Sequence, residues 1–378
     1  MDKKVLISCT YYVPNISGVS IYAQILAEKM AEKGTDVSVL TSRFSHKLAK
    51  LKLNKRVKIQ RSAVWKKVGK GVIMPFFVRD AQLAVRENEI VNCHLPQIES
   101  FMIAIWAKIY KKKLIVTHHC EFNFKGPWHN KLIALITYPF HLVTYLLADK
   151  IVSYTQDYAK TSIFLKHFKK KLNFILPPVV VGEWNKQESK KIKKKLEIRK
   201  DEKVVSYVGR IGWEKGLDGL IESIKVLKKK RKIKLLLIGP YTGVAGDNSY
   251  FKLKKKIEKN SEWIKLVGSV EHDKLVNYYK ISDCLVLPST NNLETFGIVQ
   301  AEAMVSGCPV VASNLPGVRM PVRLTGMGKI AKIGDIKDLA KKIRIVLDGN
   351  FKEKNKIKKA KKIFSLERFV KSYEKVFE

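Results

Sequence analysis

Glu294 and Glu302 close the two ends of the segment Glu294-Thr-Phe-Gly-Ile-Val-Gln-Ala-Glu302, just after an apolar run, Cys284-Leu285-Val286-Leu287-Pro288-Ser289. Gly297 falls near the start of a helix running to Ser306, and Gly307 is placed to stop it. Amides around Thr295, Phe296 and Gly297 would then leave a helix N-terminus, which favours an anion. Carboxylates on either side of such an end suit a ligand carrying both phosphate and vicinal hydroxyls. The same spacing also fits a helix with acid in its first turn and Glu302 on a solvated face. A second cluster is Tyr207-Val208-Gly209-Arg210-Ile211-Gly212-Trp213-Glu214-Lys215-Gly216. Gly209 and Gly212 admit a close backbone approach, Arg210 can take a phosphate bidentately, and Lys215 adds a mobile point charge. An exposed turn with incidental cations would read the same way. The order of residues is not that of a Walker A loop.

A third group lies in the first half. His94 in Asn92-Cys93-His94-Leu95-Pro96 and His118 and His119 in Thr117-His118-His119-Cys120-Glu121 each end a strand-like run, so they belong to one edge of a sheet. Metal binding would need a third and fourth ligand, and none stands at recognisable spacing. Buried, hydrogen-bonded structural histidines are the ordinary alternative.

These residues need elements to hold them. Val5–Ser8, Val37–Leu40, Val57–Arg61, Ile90–Cys93, Lys113–Thr117 and Lys150–Ser153 read as short buried strands with helices between, the first helix spanning about Val19–Lys33. Pro177-Pro178 ends this series, and a charged helix is expected over Gln187–Lys200. The pattern then restarts with Val204–Val208, Lys234–Ile238, Ile264–Val267, Cys284–Leu287 and Pro309–Ala312. Alternating strands and helices of this kind predict an α/β fold of two Rossmann-like, doubly wound parallel-sheet domains facing a central cleft. The expected boundaries are 1–178 and 179–363, with 364–378 a C-terminal helix crossing back to the first domain.

The composition narrows the class. A chain of 378 residues with 46% hydrophobic content can bury two cores. Lys+Arg 73 against Asp+Glu 34 gives a net charge of +39. Such an excess suggests polyanionic partners, and it is also what the solvated helix faces of a lysine-rich proteome produce. Five scattered cysteines without a C-x-x-C pair fit reduced, buried thiols in the cytoplasm. Met1-Asp2-Lys3-Lys4 runs straight into the first strand, so no signal peptide is expected, and Leu132–Ala148 is too short and too polar for a membrane span.

Taken in order, the segments resemble the retaining GT-B glycosyltransferases of family 4. The likeness runs through Pro14-x-x-x-Gly18, the histidine strand ends and Gly209-Arg210-x-x-x-x-Lys215. It continues through Val267-Gly268-Ser-Val270, the spaced glutamates and Gly307-Cys-Pro309-Val-Val-Ala312-Ser, and ends at Phe364-Ser365-Leu366-Glu367-Arg368-Phe369. It implies a retaining, metal-independent transferase moving a hexose-type sugar from a nucleoside-diphosphate-sugar to a hydroxyl of a glycan or lipid-linked acceptor. Arg210 and Lys215 would grip the diphosphate, and Glu302 would hold ribose hydroxyls. Glu294 with the Phe296 and Gly297 amides would hold the sugar, and His119 would lie beside its reacting carbon. Gly18 would let the first loop approach the phosphates, and the backbone at Val270 would border the base. No cofactor or metal is implied. The chain departs from the pattern at Ser17-Gly18, where two glycines are common, at Met320, where an acid is common, and at Leu366, where tryptophan is common.

The same fold also serves nucleotide-sugar 2-epimerases, and the Arg210/Lys215 with Glu294/Glu302 set favours transfer over that alternative. Binding of nucleic acid, suggested only by charge, is not expected, because no recognisable motif supports it. Two stretches of the first domain, Lys47–Phe77 with its cations and Trp65, Phe76 and Phe77, and Trp128–Leu147, are candidates for docking on an anionic membrane at its cytoplasmic face.

Overall fold

The computed structural model describes residues 3–69, 71–121, 128–212, 215–241, 249–291 and 293–378. Met1, Asp2, Trp213 and Glu214, named above, lie outside the described residues, as do Lys70 of the segment Lys47–Phe77 and the side chain of Trp128. By its internal contacts the chain divides into two compact units, Met1–Pro177 with Glu367–Glu378, and Pro178–Leu366.

Among the described residues, ten strands belong to the first unit: β1 (Lys4–Ser8), β2 (Asp36–Arg43), β3 (Leu51–Asn54), β4 (Val57–Ala63), β5 (Lys66–Val68), β6 (Gly71–Ile73), β7 (Ile90–Leu95), β8 (Lys113–His118), β9 (Lys150–Ser153) and β10 (Leu172–Phe174). Eight of them form one sheet in the order β10-β9-β8-β7-β1-β2-β4-β3, parallel except for β3, while β5 and β6 pair as a separate hairpin. All six residues of β7 are buried, as a strand covered on both faces requires. Chain direction across the sheet reverses at β1, which pairs with β2 on one side and β7 on the other, so the β1/β7 edge is the switch point where ligands bind such sheets.

The second unit has β11 (Lys203–Val208), β12 (Ile233–Ile238), β13 (Ile264–Gly268), β14 (Cys284–Leu287), β15 (Val310–Ser313) and β16 (Gly328–Ala331), all parallel, in the order β13-β12-β11-β14-β15-β16. Its switch point is β11/β14. Strand β12 is buried throughout, including Lys234, whose ammonium donates to the Glu262 carbonyl at 3.0 Å and lies 3.5 Å from the Glu202 carboxylate. A buried charge is tolerated there because it is paired and hydrogen-bonded.

Helix Leu366–Phe377 packs on the first unit through Phe369, Val370, Tyr373, Val376 and Phe377, which share one face at helical spacing. Tyr373 Oη bonds both Tyr22 Oη and Thr117 Oγ1 at 3.0 Å, and the Phe369 ring meets Tyr22 edge-on.

One expectation needs correcting. The charged helix runs over Lys186–Lys195 rather than to Lys200: Asn185 caps its start, and Glu197 takes a left-handed φ of 52°, which ends it. Besides β4, the basic segment 47–77 contributes an antiparallel edge strand (β3) and a hairpin (β5–β6) that the sequence did not single out, pieces of three or four residues too short to show a pattern.

Candidate active site

In the second unit the site grows from two strand ends. After β11 the chain makes a loop held by Tyr207 Oη, which donates to the Arg210 carbonyl at 2.7 Å, and by the Ile211 amide, which donates to the Pro240 carbonyl. Gly216, at φ 67°, precedes helix Leu217–Lys228, and a Cβ there would run into the Pro288 carbonyl. The loop carrying Lys215 therefore lies tight against the end of β14. From that end Glu294 reaches Lys215, with Nζ to Oε2 at 2.7 Å and both side chains mostly covered. Arg210 is partly buried on the same loop. Beside this pair, Ser289 Oγ and Asn291 Nδ2 are buried without a hydrogen-bond partner among the described residues. Buried polar atoms left this way carry a desolvation cost that a bound ligand relieves.

Helix Ile298–Val305 starts at Gly297, whose φ of 74° is left-handed. A Cβ at Gly297 would collide with Leu287 Cδ2, so glycine is required both by conformation and by space. The Phe296 ring is buried, meeting Phe364 edge-on at 6.0 Å, and its carbonyl accepts from Gln300 Nε2 at 2.9 Å. Its side chain is core, and only its backbone is disposed for a ligand.

Glu302 is buried on this helix. Its Oε2 accepts from Tyr279 Oη at 2.7 Å, and its Oε1 lies 2.9 Å from His272 Nε2. The hydrogen bond to Glu302 raises the His272 pKa above its ordinary value, against the opposing effect of burial. His272 follows Val270 by two residues, so this bond ties the loop after β13 to the acidic helix. Tyr279 and His272 were not singled out in the sequence. Their signal, a histidine and a tyrosine seven residues apart, has no meaning until the helix of Glu302 is placed against them.

In the first unit Gly18 begins helix Gly18–Glu32, with Ser17 and Ser20 forming a reciprocal cap. A Cβ on Gly18 would meet nothing within 4 Å, so packing within the protein does not demand glycine there. His119 follows β8 and is buried. One ring nitrogen, Nε2, lies 2.9 Å from His94 Nδ1, and the other, Nδ1, bonds Tyr154 Oη. Burial holds His119 well below the usual histidine range and His94 down at about 3, so both rings are neutral. His118 is turned elsewhere, bonded to Tyr145 Oη at 2.5 Å and Tyr158 Oη at 3.1 Å. No group of three or more His, Cys, Asp or Glu among the described residues could hold a metal ion.

Two family models divide the chain between them. The model described as Glycosyltransferase Family 4 matches residues 16–180, and the one described as Glycosyl transferases group 1 matches residues 188–363. The chain belongs to the family 4-like GT-B glycosyltransferases.

Among relatives of this transferase, the N-acetyl-alpha-D-glucosaminyl L-malate synthase of Bacillus anthracis is 23% identical over 394 residues, covering 100% of this chain and 97% of that protein. The alpha-monoglucosyldiacylglycerol synthase of Streptococcus pneumoniae is 23% identical over 81% of this chain and 70% of its own length. An uncharacterized glycosyltransferase of Methanocaldococcus jannaschii is 31% identical, but over only 134 residues, about a third of each chain. In structure the transferase is similar to Anabaena HepE in complex with UDP-glucose, with a TM-score of 0.74 at 17% identity over 99% of both chains, a likeness of fold.

Proposed function

We propose that this transferase moves a hexose-type sugar from a nucleoside-diphosphate-sugar to a hydroxyl of a glycan or lipid-linked acceptor, with retention at the anomeric carbon and without a metal ion. The observation that carries the reading is the meeting of Lys215 and Glu294 at 2.7 Å, at the strand switch point of the second unit, beside Arg210 and the Gly297 helix start. Arg210 and Lys215 supply the positive charge that a departing nucleoside diphosphate needs, the task a metal performs elsewhere. Glu294, with the Phe296 and Gly297 amides, then takes the hydroxyls of the transferred sugar. Glu302 takes the ribose hydroxyls through lone pairs that Tyr279 and His272 leave free, and the backbone at Val270 borders the base. That HepE is solved with UDP-glucose supports a donor of this class. The second unit is the donor-binding domain and the first the acceptor-binding domain. There, Gly18 admits the donor phosphates, and His119 exchanges its bond to His94 for one to the sugar.

A lipid-linked acceptor accounts for a further surface. Helix Trp128–Leu147 exposes Leu132, Ile133, Leu135, Ile136, Phe140, Val143 and Leu146, and its neighbour Ser100–Ile109 exposes Ile105 and Ile109. No helix among the described residues is long and apolar enough to cross a membrane. On a chain of charge +39, such a face suits peripheral attachment to anionic lipid at the cytoplasmic side. The S. pneumoniae relative, named for a glycosyldiacylglycerol product, supports an acceptor of this kind.

The test is nucleotide release from UDP-, GDP- and ADP-sugars with EDTA present, with the anomeric configuration of any product read by NMR. Release of one nucleoside diphosphate, undiminished by chelation and giving a retained anomer, is expected. Metal dependence or inversion would overturn the corresponding part of the reading.

A further inference from the structure

At the switch point of the first unit, two polar side chains are left incomplete. Gln97, buried after β7, accepts a hydrogen bond from Ser8 Oγ at 3.1 Å, while its Nε2 has no partner among the described residues. Two residues on, Glu99 stands at the N-cap of helix Ser100–Ile109 without making a side-chain cap bond to that helix. Its Oε2 is buried and also lacks a partner. Ser8 ends β1 and pairs in register with Cys93 of β7, so Ser8, Gln97 and Glu99 gather where the two central strands end. Tyr11, on the loop after β1, is the titratable neighbour: the negative charge of Glu99 helps to raise its phenol pKa, after burial. Lys108, the cation of the Glu99 helix, sits in its last turn and pairs with Asp149 instead.

An amide that must donate and a carboxyl oxygen that, once ionised, can only accept, both buried and without a partner among the described residues, cost stability for as long as they stay empty. Among the described residues, no protein group completes either of them. A hydroxyl fits the pair, since it accepts from N–H and donates to oxygen at once. We propose that Gln97 Nε2 and Glu99 Oε2 form an acceptor subsite that holds a hydroxyl of a sugar or polyol group, with Ser8 fixing the Gln97 amide. The inference rests on the transferase reading for its place in the reaction, and its binding chemistry stands apart from the donor. No bond is made or broken at the subsite: both residues bind and orient.

The chemistry has a pH signature. Burial lifts the Glu99 carboxyl to about 7, opposed by a bond from its own backbone amide. A donated hydroxyl stabilises the carboxylate over the acid. Occupancy therefore favours the ionised form, and affinity rises as pH increases through about 7. A structural carboxylate would show no such linkage to a ligand.

The experiment is saturation-transfer NMR on the full chain, without donor. The probes are methyl α-D-glucopyranoside, methyl β-D-galactopyranoside, methyl N-acetyl-β-D-glucosaminide, myo-inositol and glycerol, from pH 5.5 to 8.5. Wild-type protein should bind at least one probe, several-fold more tightly at pH 8 than at pH 6. Glu99→Gln should weaken that binding about tenfold and flatten its pH dependence, and Gln97→Leu should weaken it at every pH. Glu99→Leu, which removes an unpartnered carboxyl, should fold with undiminished thermal stability. Binding of no probe, or binding unchanged in Glu99→Gln, would overturn the subsite. So would a Glu99→Leu protein that unfolds while Glu99→Gln binds normally, because Glu99 would then be structural. Since no nucleotide is present, failure here is separable from failure of donor binding, which would strike the transferase reading itself.

Discussion

Lys215 and Glu294 neutralise one another at 2.7 Å, so the diphosphate of the proposed donor would have to draw Lys215 away or share it. Arg210 stands on the same loop, and its fork suits the charge that grows on a leaving diphosphate. Arg210→Ala should lower turnover by about 10²–10³-fold with folding intact, as loss of one transition-state donor does. Steady-state kinetics beside a circular dichroism melt would check this, and near-normal turnover in a folded variant would remove Arg210 from the mechanism. His272 provides a second, quieter test. Its pKa is raised by Glu302, so its stabilising contribution is present below about pH 6.5, the ordinary histidine value, and is lost as pH rises through the raised one. Denaturant titrations at pH 6 and pH 9 should show His272→Gln destabilised at the lower pH and close to wild type at the higher.

Elements carry the next set of constraints. A methyl group at Gly297 would have to displace Leu287 while the backbone holds φ at 74°. Gly297→Ala should therefore cost about 1–3 kcal/mol, measurable by denaturant unfolding, and should weaken nucleotide binding by shifting the helix start. The exposed face of helix Trp128–Leu147 makes the opposite prediction. Leu135→Glu with Ile136→Glu should abolish flotation with phosphatidylglycerol vesicles at low salt and leave the melting temperature nearly unchanged, since both side chains are exposed. Failure of the wild-type chain to float would remove the membrane from the account. These elements also show what the letters alone could convey. Strand β14 was legible because a parallel sheet buries both faces and leaves an unbroken apolar run, and β12 because only Lys234 interrupts its own. Strand β3 was not, because an edge strand alternating leucine and lysine has no core signature. Glu302 was legible as an acid at a telling spacing, but the Tyr279 and His272 that hold it come from other elements. Gln97 and Glu99 were passed over for a similar reason: their unpartnered atoms are buried only in the folded chain.

At the scale of the whole molecule, four buried histidines among the described residues oppose folding in acid. Burial holds His94 and His118 at about 3 and His141 at about 4, and keeps His119 well below its ordinary value. The unfolded chain takes up these protons near pH 6.5 while the folded chain refuses them. Stability should thus fall as pH drops below about 6.5, with a slope of up to about 5 kcal/mol per pH unit if all four titrate on unfolding. Replacing His118 with Gln should reduce that slope by about a quarter, read from denaturant midpoints between pH 4 and pH 7. The His118 ring is bonded to Tyr145 and Tyr158 and makes no hydrogen bond to the His94–His119 pair, so that bond survives the substitution.

The central claim is that the second unit holds a nucleoside diphosphate through Arg210 and Lys215. Thermal melts of the wild type and of Arg210→Ala with Lys215→Ala, each with saturating GDP, UDP or ADP, test it most directly. A ligand at a hundredfold its dissociation constant adds about 2.7 kcal/mol to the folded state, so one nucleotide should raise the wild-type melting temperature and leave the double variant unmoved. No shift with any of the three, or an equal shift in the double variant, would contradict the account.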